Sequence, residues 1–272
     1  MLRLAVRVQR EHAELVLAEL LELAPSGVEE VPLEESVIEY AIYGAPGELP
    51  SLPDVTAAAA GALIEVRTTE LEDGWAERWR QFHKPVEIGD ALTVRPPWEP
   101  PGCTSIDLVI DPGQAFGTGA HPTTRLCLEL MLEVPARGPF LDLGCGSGVL
   151  AIAAAKLGWA PVLALDNDPA CLEASARNAR RNRVQLQIRR HDLRCHPVPM
   201  AGTAVANLLR PLLLEYAMGL GHARPERLIA SGLLRHECDE VSGAFAPSGL
   251  VEAQRVRSGD WAAILLISEG YG

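Results

Sequence analysis

Long apolar runs are missing from this sequence. The most apolar stretch, "VLAIAAAKLGWAPVLAL", is interrupted by Lys156 and Gly158, and nothing approaches the length of a membrane span. No small-residue cleavage site follows Arg3, Arg7 and Arg10, which argues against a secretory leader. The expectation is a soluble cytoplasmic protein with no membrane partner. Paired cysteines are missing too. The six (103, 127, 145, 171, 195, 238) are never closer than 18 positions, whereas zinc sites show ligands roughly two to four apart. "HDLRCH" and "RHEC" bring His near Cys without completing a ligand set, so no metal is expected. Positive charge is scarce at one end. Residues 1–66 hold 12 Asp or Glu against 3 Arg, a net of −9 out of −12 for the 272-residue chain. Such a face repels phosphate backbones and attracts basic partners, although acids also serve simply to keep a small domain soluble.

What is present is a change of pattern along the chain. Residues 1–66 read as strand, helix, strand, strand, helix, strand. "LRLAVRV" and "LIEVRTTEL" alternate apolar and polar residues. "EHAELVLAELLELA" places Leu15, Val16, Leu20 and Leu23 at helical spacing. That order predicts a small α+β, ferredoxin-like domain. Residues 67–105 read as a connector helix carrying Trp75, Trp79 and Phe82, then a Pro-rich linker, "RPPWEPPGC". From 106 to 272, strands alternate with helices: "GPFLDLG", "APVLALDND", "VQLQIRRHDL", "TAVANLL", "RLIASGLL" and "WAAILLIS" are the strands. This predicts an α/β, doubly wound Rossmann-like sheet, which binds ligands at the carboxyl ends of its strands.

"DLGCGSG" joins the first of those strands to a helix, where a nucleotide loop must sit. Gly144, Gly146 and Gly148 give G-x-G-x-G, with Val149 where a dinucleotide fingerprint wants a small third residue. Asp142 at the strand end is expected to face the ligand, where an anion opposes a pyrophosphate and suits a cationic donor such as S-adenosylmethionine. Asp166, 22 residues beyond Gly144, is placed to accept from both ribose hydroxyls. Asp192 follows the third strand and reads either as an acceptor for the adenine amine or as a loop cap. Upstream, "HPTT" opens a helix, so Thr123 and Thr124 offer hydroxyls at a terminus that favours a carboxylate. The preceding Phe116, Gly117, Thr118 and Gly119 read as a lid over the sulfonium.

At "DPGQAFGTGAHPTTRLCLE" the chain resembles the bacterial ribosomal protein L-11 methyltransferases. The similarity continues through "DGWAERWRQFHKP", "DLGCGSGVLAIAAAKLG", "LDNDPACLEASARNARRN", "ANLL" and "SGLL", while residues 1–66 match in pattern only. The resemblance implies a small domain that docks a basic ribosomal protein and a larger one that methylates lysine side-chain and N-terminal amines. It implies S-adenosylmethionine contacts at Thr124, Gly144, Asp166 and Asn207, with Asn207 orienting the target amine. Gln114 and Arg210 depart from the family pattern near the expected target entrance. The expected state is a monomer with no direct nucleic-acid contact, since Leu-Leu follows Asn207 where base-methylating enzymes carry an aromatic pair. A related methyltransferase for another protein or a small molecule, and a non-catalytic module that keeps the pocket, are the alternative readings.

Overall fold

A computed structural model of the chain describes residues 2–24, 28–34, 36–44, 49–50, 52–70, 84–111, 119, 121–220 and 224–268. They divide into two compact units, Met1–Phe82 and His83–Gly272.

The first unit holds β1 (Leu2–Gln9), α1 (Ala13–Leu23), β2 (Glu29–Glu34), β3 (Val37–Gly44), α2 (Leu52–Ala59) and β4 (Leu63–Glu70). The strand order is β2-β3-β1-β4, and every neighbouring pair is antiparallel, which is the connectivity of two interleaved βαβ units. Strand alternation sends Leu4, Val6, Val8, Ile38, Tyr40 and Ile42 to one face, where Val16, Leu20 and Val55 of the helices cover them. Leu15 does not belong to that stripe; it is 70 % exposed, while Ala13, Val16 and Leu20 are buried in the core. The opposite face carries charge. Arg3 and Arg7 both bond the buried carboxylate of Glu39, and Arg7 also reaches Glu65 at 2.7 Å. Burial would raise the Glu39 carboxyl, but the two guanidinium groups outweigh it and hold the pKa below the usual range.

The second unit begins where a linker was expected. Residues 71–83, which include the tryptophan-bearing segment, lie outside the described residues. Beyond them, β5 (Val86–Ile88), β6 (Leu92–Arg95) and β7 (Ile106–Val109) form a three-stranded sheet. Arg95 grips Asp107 through two bonds of 2.7 and 2.8 Å and donates to the Glu99 carbonyl at 2.6 Å, which pins the Pro-rich turn onto that sheet.

After β7 come α3 (Pro122–Glu133), β8 (Phe140–Leu143), α4 (Val149–Leu157), β9 (Val162–Asp166), α5 (Pro169–Asn182), β10 (Gln187–Arg190) and β11 (Thr203–Asn207). The chain continues through α6 (Arg210–Gly219), β12 (Arg227–Leu234), α7 (Cys238–Phe245), β13 (Leu250–Ser258) and β14 (Trp261–Ser268). The sheet order is β10-β9-β8-β11-β12-β14-β13; the first five strands run parallel, and β14 is antiparallel to both β12 and β13. Strand β13 was not expected. Its register with β14 closes at Ser258↔Trp261 around Gly259-Asp260, with Gly259 at φ +58°, a two-residue hairpin turn. Both faces are covered. Phe140 and Val205 pack with α3 and α4, while Leu141, Leu143 and Ala206 pack with Leu213, Tyr216 and Phe245 of α6 and α7. The order reverses at β8: β9 and β10 lie on one side, β11 and β12 on the other. A crevice therefore opens beyond the carboxyl ends of β8 and β11.

Helix α5 also acts on the free margin of β7. The Asn182 amide accepts from Val109 N–H at 2.9 Å and donates to Val109 C=O at 2.7 Å. Asn178 accepts from Asp111 N–H at 3.0 Å and donates to the Ser147 carbonyl at 2.9 Å. Two asparagines, four residues apart on one helix face, take the place of a neighbouring strand.

Candidate functional site

The glycine loop fills the β8 side of the crevice. Gly144, Gly146 and Gly148 all have positive φ (+74°, +52° and +83°), a region closed to most side chains. Gly144 and Cys145 donate their N–H groups to the Leu165 carbonyl at 2.8 and 3.0 Å, which folds the loop against the end of β9. Gly146 N–H donates to Asp166 Oδ2 at 2.9 Å and Asp168 N–H to Oδ1 at 3.0 Å. Asp166 is half-buried, its position is fixed by those donors, and each oxygen keeps a lone pair for a ligand hydroxyl. Ser175 supports the loop from below by donating to the Gly146 carbonyl at 2.9 Å.

Asp142 differs from expectation. It is 0 % exposed, so it does not face the opening. Its Oδ2 accepts from Ala151 N–H at 3.0 Å, one of the donors that a helix start leaves without an intrahelical partner. Oδ1 is buried with no hydrogen-bond partner. Burial pushes the carboxyl up to about 7, against the lowering effect of the Ala151 bond. Its role is therefore to brace the first turn of α4 beneath the loop. The linkage sign is that of a raised acid. The native state holds this proton up to about pH 7 while the unfolded chain releases it near pH 4, so stability falls as pH rises through that window. Asp142→Asn keeps the acceptor and removes the titration. Urea unfolding at pH 5 and pH 7 should show the variant gaining about 2 kcal/mol on the parent across that interval, at roughly 1.4 kcal/mol per pH step. Parallel pH dependences would exclude a proton on Asp142.

On the β11 side, Asn207 ends its strand half-buried, and its Nδ2 donates to Thr124 Oγ1 at 3.4 Å. Thr124 sits in the first turn of α3, 83 residues earlier. Two sequence candidates from distant segments thus meet across the crevice. Gly144 belongs to the same cluster: a Cβ there would lie 2.4 Å from Leu208 Cδ2, a side-chain end that can turn aside, and it is φ +74° that reserves the position for glycine. Thr123 is used otherwise. His121 caps α3, and its Nδ1 lies 2.8 Å from the Thr123 hydroxyl and 3.3 Å from Thr123 N–H. Burial lowers the His121 pKa, which favours the neutral ring that such an acceptor needs.

Asp192 turns its own loop, accepting from Arg194 N–H at 3.0 Å while its carbonyl takes Cys195 and His196 N–H. That is the loop-cap role weighed for it, with Oδ2 engaged only by a long 3.7 Å thiol contact from Cys195. Phe116, Gly117 and Thr118 lie outside the described residues, as does Gln114. Gly119 is described: it is buried at φ +84°, against Val94. Arg210 starts α6 and is held by Glu240 at 2.7 Å and Glu237 at 3.3 Å, which directs its charge toward α7. Sequence reading missed the support residues Ser175, Asn178, His121 and Ser231. Ser175, Asn178 and Ser231 reach partners between 29 and 108 positions away, which local pattern cannot reveal, while His121 bonds Thr123 two residues on. Among the described residues no group of three His, Cys, Asp or Glu could hold a metal ion, and no helix is long and apolar enough to cross a membrane.

The ribosomal protein L11 methyltransferase (PrmA) family model matches residues 48–268. A ribosomal protein L11 methyltransferase of Burkholderia multivorans is 35% identical over 273 residues, covering 89% of this chain and 90% of its own. One from Heliobacterium modesticaldum is 40% identical over 201 residues, covering 71% of this chain. That match spans 64% of the Heliobacterium protein's own length. Among solved structures, a ribosomal protein L11 methylase from Lactobacillus delbrueckii subsp. bulgaricus superimposes with a TM-score of 0.62 at 26% identity, covering 68% of this chain and 99% of the other. The chain belongs to the ribosomal protein L11 methyltransferase family.

Proposed function

We propose that the protein transfers methyl groups from S-adenosylmethionine to lysine side-chain and N-terminal amines of a ribosomal protein of the L11 kind. The observation that carries this is the meeting of Asn207 and Thr124 beside Gly144, at the point where the strand order reverses. The residues fit the donor. Asp166 has free lone pairs for a ribose diol, and the crowded Gly144 gives a backbone surface for close approach. The α3 terminus favours the carboxylate of a methionine moiety. The donor supplies an electrophilic methyl carbon on a sulfonium. Transfer forms a C–N bond as the C–S bond breaks, with the electron pair left on a neutral thioether.

The chain's own work is orientation. A free lysine must lose its proton first, at a cost of about 4 to 5 kcal/mol at pH 7 from its reference pKa. A site without a counter-charge lowers that cost by disfavouring the ammonium. The Asn207 carboxamide oxygen can then accept from the amine N–H and aim the lone pair in line with the breaking bond, where orientation contributes much of the rate. In this reading Gly146 and Asp192 complete the cofactor floor, and Phe116, Gly117, Thr118 and Gly119 close over it. Residues 1–66 dock the basic ribosomal protein, 67–105 connect, and 106–272 catalyse. The acidic charge of residues 1–66 supports a basic partner and opposes direct contact with nucleic acid. The same reading takes the protein as a cytoplasmic monomer.

Calorimetry with the full chain tests the donor: S-adenosylmethionine should give heat of binding and a pyrophosphate dinucleotide none. Labelled methyl groups should then appear on one ribosomal protein. The reverse pattern of heats would overturn the methyltransferase reading, and transfer only to small molecules would overturn the substrate.

A further inference from the structure

Ser231 of β12 is fully buried. Its polar groups nevertheless reach both halves of the candidate site. Through register, Ser231 lies beside Asn207, and its carbonyl accepts Leu208 N–H at 3.0 Å. Its hydroxyl donates to the Thr123 carbonyl at 3.1 Å, with the Ala262 carbonyl farther off at 3.5 Å. The fully buried Cys127 thiol lies against the same hydroxyl from within α3. One residue thus holds the immediate neighbour of Asn207 and the immediate neighbour of Thr124. Asn207 meets Thr124 through a bond of 3.4 Å, and so long a side-chain hydrogen bond is too weak to fix by itself two segments 83 residues apart.

We infer that Ser231 is a positioning residue, which sets the spacing between Thr124 and Asn207 by fastening the start of α3 to the end of β11. The inference rests on the methyl-transfer reading above. The Ser231 hydroxyl touches neither donor nor acceptor; it fixes the direction of the Thr123–Thr124 peptide, and so the place of the Thr124 hydroxyl that Asn207 leans on. A small displacement of that pair tilts the amine away from the methyl carbon, and misplacement by about 1 Å can cost a factor on the order of 100 in rate.

The test is a cycle of Ser231→Ala, Thr124→Val and the double variant in the full chain, with kcat, KM for the protein substrate and the S-adenosylmethionine dissociation constant measured for each. Ser231→Ala should lower kcat about tenfold while KM for the protein changes less than about twofold, as expected for lost orientation. In the Thr124→Val background the same change should cost less than about twofold, because the residue it acts through is gone. An equal penalty in both backgrounds, or no penalty in the parent, overturns the inference. Should Ser231→Ala fail to fold, Ser231→Cys keeps only a weak donor and should lower kcat about threefold with KM for the protein nearly unchanged, and parental kcat in that variant overturns the inference. Absence of donor binding in the parent protein would instead remove the methyl-transfer reading itself, so the two failures are distinct.

Discussion

Asn207→Ala should abolish measurable methyl transfer, a loss of at least about a hundredfold in kcat, while S-adenosylmethionine affinity stays within about threefold. The asymmetry follows from what the side chain does. Its Nδ2 is turned to Thr124, a contact within the protein, which leaves the carboxamide oxygen available to accept from an incoming amine. On the proposed reading, Asp166 and the glycine loop hold the donor on the other side of the reversal point, so little donor affinity should be lost. Asn207→Asp makes a sharper comparison. A carboxylate beside the amine stabilises the ammonium and keeps the lone pair protonated, so the variant should also be slow, with its activity shifted to higher pH. Unchanged turnover in either variant would remove Asn207 from the mechanism.

Gly232→Ala should be a severely damaging single-methyl addition among the described residues, at about 3 kcal/mol of stability together with loss of transfer. Gly232 has φ +85°, where an alanine costs about 1 to 2 kcal/mol. Its Cβ would also lie 2.3 Å from the Leu208 carbonyl oxygen and 2.8 Å from the carbonyl carbon. These are backbone atoms that no rotamer change can move aside, so overpacking adds a further ~1 to 3 kcal/mol. Relief requires β12 and the segment after β11 to separate, which breaks the Leu208 N–H bond to Ser231 and carries Asn207 with it. Thermal melting and turnover should fall together. A variant with parental melting and parental turnover would show that the two backbones are not held at this distance.

The parallel sheet was legible because its strands are short apolar runs bounded by glycine and charge. The glycine loop was legible as a sharp turn because its three alternate glycines stand between an apolar strand and a helix. Other features depend on partners that local pattern cannot reveal. Strands β5 and β6 are three and four residues long, too short for alternation to register, and β7 pairs across the proline-rich turn. Strand β13 is rich in Glu, Gln and Arg because it lies at the margin of the sheet, so its sequence reads as surface loop. Asp142 was assigned the wrong direction: a strand-end carboxylate beside a glycine loop suggests a ligand, but the bare amide of Ala151 claims it first. Ser231 was invisible for the opposite reason, as a small residue in a strand gives no sign that its hydroxyl reaches a carbonyl 108 positions away.

The asparagines of α5 have a consequence for how copies of this protein meet in crowded solution. A bare strand margin invites a second molecule to extend the ladder, and chain upon chain can then stack into a fibril. At Val109 that invitation is withdrawn, since both of its peptide groups are already answered from within the same molecule. Replacing Asn182 with a residue that cannot mimic a peptide would reopen the seam, and a structural asparagine would prove to be a guard against aggregation.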